Sequence, residues 1–93
     1  MIYELAFHPV ALTEWAKLDP SIRSQFKKKL AERLTNPRVP SVQRHGRKDR
    51  YKIKLRSVGY RLVYAVRDAE LIVLVVAVGK RERSAVYTAV MNR

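Results

Sequence analysis

The segment Tyr51-Lys52-Ile53-Lys54-Leu55 alternates basic and apolar residues. In an extended strand, residues two apart point to the same side. Ile53 and Leu55 therefore face a core, while Lys52 and Lys54 stand together on the opposite face. Two ammonium groups at that spacing repel each other and cost stability. A few residues on, Arg61 projects from a second alternating stretch in which Tyr60, Leu62 and Tyr64 share the other face. Whether Arg61 joins the lysine face depends on strand register, which sequence leaves open. Lys80 and Arg81 begin a further basic patch, and Tyr87 lies in a basic, polar C-terminal stretch where it can stack on a base or donate a hydrogen bond. A single lysine in such a strand is most simply a solvated residue guarding a sheet edge. The concentration argues for more: from Arg44 to Arg61 there are eight Lys or Arg and only Asp49 as counterweight. A sheet face tiled with like charge suits an anion, and the natural one is a phosphate backbone.

Other chemistries find little support. Cysteine is absent, so neither a disulfide nor a thiolate nucleophile is available. The carboxylates are scattered and form no cluster at ligand spacing, so no metal site and no cofactor are expected. The three glycines are isolated and make no phosphate-cradling loop. His8 sits between a strand and Pro9 and reads as structural, whereas His45 lies in the basic loop. Trp15 falls on a helical stripe and reads as core rather than as a stacking platform.

The elements that position these residues are legible from periodicity. Ile2 to Phe7 alternates as a strand, with Tyr3, Leu5 and Phe7 on its more apolar face. Pro9 suits the first turn of a short helix carrying Val10, Ala11, Leu12, Trp15 and Leu18, with Glu14 and Lys17 outside. Asp19-Pro20 begins a second helix, Asp19 as cap and Pro20 where a missing N–H costs nothing. Ile22, Phe26, Leu30 and Leu34 form its apolar stripe, and Asn36-Pro37 stops it. Pro37 to Asp49 is a loop. Tyr51–Leu55, Tyr60–Val66 and Leu71–Val78 are strands, the last apolar enough to be buried on both faces. Glu82 to Met91 suits a short terminal helix. The expected fold is a single α+β domain over residues 1–93, β-α-α-β-β-β-α, with two N-terminal helices on one face of a mostly antiparallel four-stranded sheet.

The chain has 93 residues and a formal net charge of +12 at pH 7. That excess creates a positive potential over much of so small a surface, which points to nucleic acid. The longest apolar run, Leu71 to Val78, falls far short of the about 20 residues a membrane span needs. Nothing at Met1 to Phe7 resembles a signal peptide, so the simplest location is the cytoplasm.

Several motifs closely resemble the RelE toxins of bacterial and archaeal toxin–antitoxin pairs. They are Tyr51-Lys52-Ile53-Lys54-Leu55-Arg56-Ser57, Gly59-Tyr60-Arg61-Leu62-Val63-Tyr64, Val78-Gly79-Lys80-Arg81-Glu82-Arg83-Ser84 and Val86-Tyr87. The resemblance extends to Glu14-Trp15, Lys27 to Leu30 and Asn36-Pro37-Arg38. It implies a toxin that cuts messenger RNA in the ribosomal A site without metal, using the 2′-hydroxyl as nucleophile. It matches Lys52, Lys54, Arg61, Arg81 and Tyr87 to the family's active site.

Ribonucleases commonly employ histidines for proton transfer, whose pKa lies near neutrality; no suitable pair exists here. A lysine can act as base if neighbouring cations disfavour its ammonium form. Lys54 is thus expected as base, Lys52 and Arg61 as transition-state stabilisers, Arg81 as stabiliser or acid, and Tyr87 as the residue holding the substrate base. RNA and ribosome contacts are expected from Arg44, His45, Arg47, Lys48 and Arg50 in the basic loop, where His45 departs from the family pattern. Further contacts are expected from Arg56, Lys80, Arg83, Lys27 and Lys28. The resemblance also implies a RelB-type antitoxin as partner, and contact with operator DNA only through the antitoxin complex. Because Glu82 to Met91 is short, terminal and weakly apolar, antitoxin binding is expected to displace or disorder it and move Tyr87 away from the active face. The competing readings are a ParE-type gyrase-inhibiting toxin and a non-catalytic RNA-binding module.

Overall fold

The computed structural model describes residues 2–38 and 50–80. Six elements follow in order: β1 (Glu4–Phe7), α1 (Pro9–Ala16), α2 (Pro20–Thr35), β2 (Arg50–Leu55), β3 (Tyr60–Arg67) and β4 (Ile72–Lys80). The loop residues 39–49 and the helix expected over 82–91 lie outside the described residues.

Both helices start where proline preset them. His8 caps α1 with its ring, Nδ1 accepting from the Val10 N–H at 3.2 Å, so its structural reading holds. At α2, Asp19 occupies the cap position but makes no side-chain cap bond; its backbone carbonyl accepts from Arg23 N–H at 3.0 Å instead. The α2 stripe is as expected, with Ile22, Phe26 and Leu30 buried and Leu34 packed beside them. The α1 face is narrower than its composition suggested. Ala11 and Leu18 are buried and Trp15 packs against the core, but Val10 and Leu12 are 47% and 52% exposed. Trp15 bridges Phe7 and Phe26, its ring centroid 5.2 Å and 6.2 Å from theirs.

The four strands form one mixed sheet in the order β1-β4-β3-β2. β2–β3 and β3–β4 are antiparallel, while β1 lies parallel to β4. The helices cover one face, over a core that includes Ile53, Leu62, Tyr64, Val73, Val75 and Val78. On the other face Val63, Ala65, Val76 and Ala77 are also buried, with Leu74 packed against them. The middle strands are thus enclosed on both sides, as the apolar run in β4 required.

Two turns carry positive φ. Gly59 (φ 70°) closes the β2–β3 turn, donating to the Leu55 carbonyl at 2.9 Å. Nothing lies within 4 Å of where a side chain would start, so the constraint is conformational. Leu71 has φ 55°, unusual for a branched side chain. It therefore belongs to the β3–β4 turn rather than to the strand, and its carbonyl accepts from Glu4 N–H at 2.8 Å, seating β1.

A polar network fixes the far end of the sheet. Tyr64 stacks on Tyr51 with centroids 5.5 Å apart, and its hydroxyl donates to the Pro37 carbonyl at 2.6 Å while accepting from Arg33. Arg38 donates to the Tyr51 hydroxyl and pairs with Asp68, which also accepts from Tyr3 at 2.7 Å. Arg38 and Tyr3 together hold the Asp68 carboxyl below its ordinary range, and Asp68 in turn pushes the Tyr3 phenol up. This network pins the chain where the basic loop departs.

Candidate functional site

The register of β2 on β3 settles which cations meet. Lys54 pairs with Arg61, Lys52 with Val63, and Arg50 with Ala65. Directly opposed residues share a face, so Arg61 joins Lys52 and Lys54 on the side of the sheet away from the helices. On the next strand Gly79 stands opposite Arg61. At the hairpin end, Lys54, Leu55, Arg56, Gly59, Tyr60 and Arg61 line a hollow of about 260 Å³. The structure therefore gathers Lys52, Lys54, Arg61 and Arg56 in one place, with Arg50 along the same strand face.

The electrostatics follow from that gathering. The Lys54 ammonium is pushed below its ordinary pKa, first by Lys52, then by loss of hydration, then by Arg61 and Arg56. β2 is an edge strand, so guarding the edge is a role open to its lysines. Guarding an edge does not require cations close enough to disfavour one another's charge, and here they are.

Other expected contacts lie elsewhere. Lys80 pairs with Tyr60, whose ring packs against the helix-side core, so Lys80 points away from the Lys52–Lys54 face. Lys27 and Lys28 are exposed on α2, on the helix side of the sheet. Arg44, His45, Arg47 and Lys48 lie outside the described residues, as do Arg81, Arg83 and Tyr87. Among the described residues no three His, Cys, Asp or Glu side chains gather as a metal site would need.

Near the site, Glu14 was misread from sequence. Glu14 was expected on the outer surface of α1, but it is half-buried and its carboxylate accepts a hydrogen bond from Val78 N–H at 3.3 Å. The helical period placed it beside the apolar stripe; what could not be read was that β4 presents an amide there.

Fold and site together define a class: a small basic α+β domain whose sheet face away from the helices concentrates cations around a lysine disposed to lose its proton. Comparison with known proteins narrows that class. The family described as "ParE toxin of type II toxin-antitoxin system, parDE" matches over residues 5–85. A putative RelE-like toxin protein of Escherichia coli is 55% identical over 93 residues, covering 100% of this chain and 98% of the relative. The mRNA interferase toxin RelE of Escherichia coli K12 is 53% identical with the same coverage. Among solved structures, a free-state arginine-to-alanine double mutant of Escherichia coli RelE superposes with a TM-score of 0.92 at 50% identity, covering 100% of this chain and 98% of that one. The intact Escherichia coli RelBE toxin–antitoxin complex matches with a TM-score of 0.83 at 53% identity, covering 87% of this chain and 99% of the toxin. The chain belongs to the RelE/ParE family of type II toxins, in its RelE branch.

Proposed function

We propose that the chain is an mRNA interferase, an endoribonuclease toxin that inhibits translation by cutting messenger RNA in the ribosomal A site. Its relatives of 53% identity carry the name mRNA interferase. The observation that carries the mechanism is the convergence of Lys52 and Arg61 on Lys54, whose ammonium is disfavoured there.

In the proposed reaction, neutral Lys54 removes the proton from a ribose 2′-hydroxyl. The 2′-oxygen attacks the adjacent phosphorus, forming the O2′–P bond. Lys52 and Arg61 offset the charge that builds on the phosphorane oxygens. The P–O5′ bond then breaks, leaving a 2′,3′-cyclic phosphate and a 5′-hydroxyl. Arg81 is assigned to stabilise that charge or protonate the leaving oxygen, and Tyr87 to hold the substrate base. None of these groups is an ideal acid, so orientation of messenger by the ribosome supplies much of the rate; such effects contribute about 7–11 kcal/mol.

Basic residues beyond the site are assigned to ribosome contact: Arg44, His45, Arg47, Lys48, Arg50, Arg56, Lys80, Arg83, Lys27 and Lys28. The partner that restrains the toxin is a RelB-type antitoxin, by analogy with the RelBE complex and with the RelE complex of a RelB peptide. The net charge of +12 favours fast capture by an acidic segment of that partner. Ribosome-dependent action places the working toxin in the cytoplasm.

The family description names ParE toxins, so gyrase inhibition is the reading to set against this one. Incubating the protein with translating ribosomes and mapping messenger 5′ ends separates them. Cuts within A-site codons support the proposal. Intact messenger together with inhibited DNA supercoiling would replace it.

A further inference from the structure

We propose that Glu14 is a positioning residue for cleavage, acting through the backbone of β4 to hold the end of that strand against Arg61. The inference rests on the catalytic face assigned above. β1 pairs with β4 only from Ile72 to Val75. The His8 N–H then donates to the Val75 carbonyl at 2.8 Å, and the chain turns away into α1. β4 continues to Lys80. On the side that β1 has left, the Val78 N–H meets the Glu14 carboxylate. Glu14 thus stands in for the missing strand.

The stretch it holds is irregular. Val63 pairs with Ala77, but Tyr64 pairs with Val75, so Val76 is an extra residue in β4. A bulge of this kind re-aims every side chain beyond it. Before the bulge, Val73 and Val75 face the helix-side core; after it, Val78 does. Val76 and Ala77 both fall on the opposite face, and Gly79 comes to stand across from Arg61. With unbroken alternation, residue 79 would have faced the helices. One inserted residue therefore turns the strand end toward the catalytic face, and one carboxylate from the other side of the sheet fastens it. The fastened segment lies beside Arg61 and leads directly, in sequence, to Arg81.

The carboxylate accepts from a backbone amide of β4, so the contribution proposed for it is geometric. What matters is an acceptor oxygen at the right reach. Glu14→Gln keeps both reach and acceptor. Glu14→Asp keeps the charge but withdraws the oxygen by one methylene. Glu14→Ala removes the group. The test measures amide exchange at Val78 and single-turnover cleavage on preformed ribosome–messenger complexes, with the melting temperature recorded for each variant.

Misplacing a catalytic strand has costs of about tenfold or more, so Glu14→Ala and Glu14→Asp should each lower kcat by about tenfold, leave KM little changed and speed Val78 exchange. Glu14→Gln should retain wild-type behaviour in both. Glu14→Asp carries the test if the alanine variant does not fold. Wild-type kcat in Glu14→Asp, or unchanged Val78 exchange, overturns the proposal, as does loss of melting temperature without loss of kcat. A wild-type protein that leaves messenger intact overturns the functional reading and this inference with it, whereas a cleaving wild type with an equally fast Glu14→Asp overturns this inference alone.

Discussion

Lys54 has a lowered pKa because Lys52 stands next to it on the same strand face. Below that pKa, the neutral fraction of a base rises about tenfold per pH unit. Cleavage should therefore climb with pH until Lys54 has lost its proton. Lys52→Met removes the largest cause of the shift, so the climb should move to higher pH and the neutral-pH rate should fall. A pH–rate profile of single-turnover cleavage reads both. The same repulsion has a consequence for stability. A lysine whose folded pKa is lowered binds its proton less readily in the folded state, so the penalty is fully present below the folded pKa. It is relieved as pH rises toward the ordinary lysine value. Lys54→Met should accordingly melt at a higher temperature than wild type at pH 7 while losing activity, a signature of a site kept for function rather than fold. Asp68 behaves oppositely: Arg38 and Tyr3 lower its pKa, so their contribution is present above the ordinary carboxylate range and is lost as pH falls through the folded value. Asp68→Asn should flatten that acid limb of the stability curve.

At the scale of elements, the parts written in local pattern were legible. Alternation in Tyr51–Leu55 placed Lys52 and Lys54 opposite Ile53 and Leu55, and the step of four from Ile22 to Leu30 placed the α2 stripe. Prolines at 9, 20 and 37 marked where helices begin and end. What was illegible depends on partners distant in sequence. No local signal says that Arg61 falls opposite Lys54, that β1 runs parallel to β4, or that Val76 is an extra residue. Glu14 was misjudged for the same reason, since its acceptor role exists only once Val78 is brought to it. These elements make two predictions. Phe26 is fully buried beneath Trp15, so Phe26→Ala should cost about 3–5 kcal/mol, measured by denaturant unfolding. Deleting Val76 removes the extra residue and leaves Val75, Ala77, Val78 and Gly79 in simple alternation, with Val78 still toward the helices and Gly79 still across from Arg61. That deletion should therefore keep the fold while lowering stability through loss of a buried side chain, measured by denaturant unfolding.

At the scale of the whole molecule, the cations among the described residues divide between two sides. Lys52, Lys54, Arg61 and Arg56 gather on the sheet face away from the helices, while Lys27 and Lys28 lie on the helix side. Phosphate contacts made away from the reacting bond add to capture rather than to chemistry. The Lys27→Ala/Lys28→Ala double variant should therefore weaken ribosome association, reduce its salt slope by about 1–2 and leave single-turnover kcat unchanged. If the sheet face away from the helices performs metal-independent cleavage through Lys54, loss of that amine must remove most of the rate. The most direct test places wild type and Lys54→Ala on preformed ribosome–messenger complexes and follows both cleavage rate and product ends. Wild-type products should end in 2′,3′-cyclic or 3′-phosphate, and Lys54→Ala should lose about 10²-fold or more in rate, with folding intact by circular dichroism. Products ending in 3′-hydroxyl, or a Lys54→Ala protein that cleaves at the wild-type rate, would contradict this mechanism.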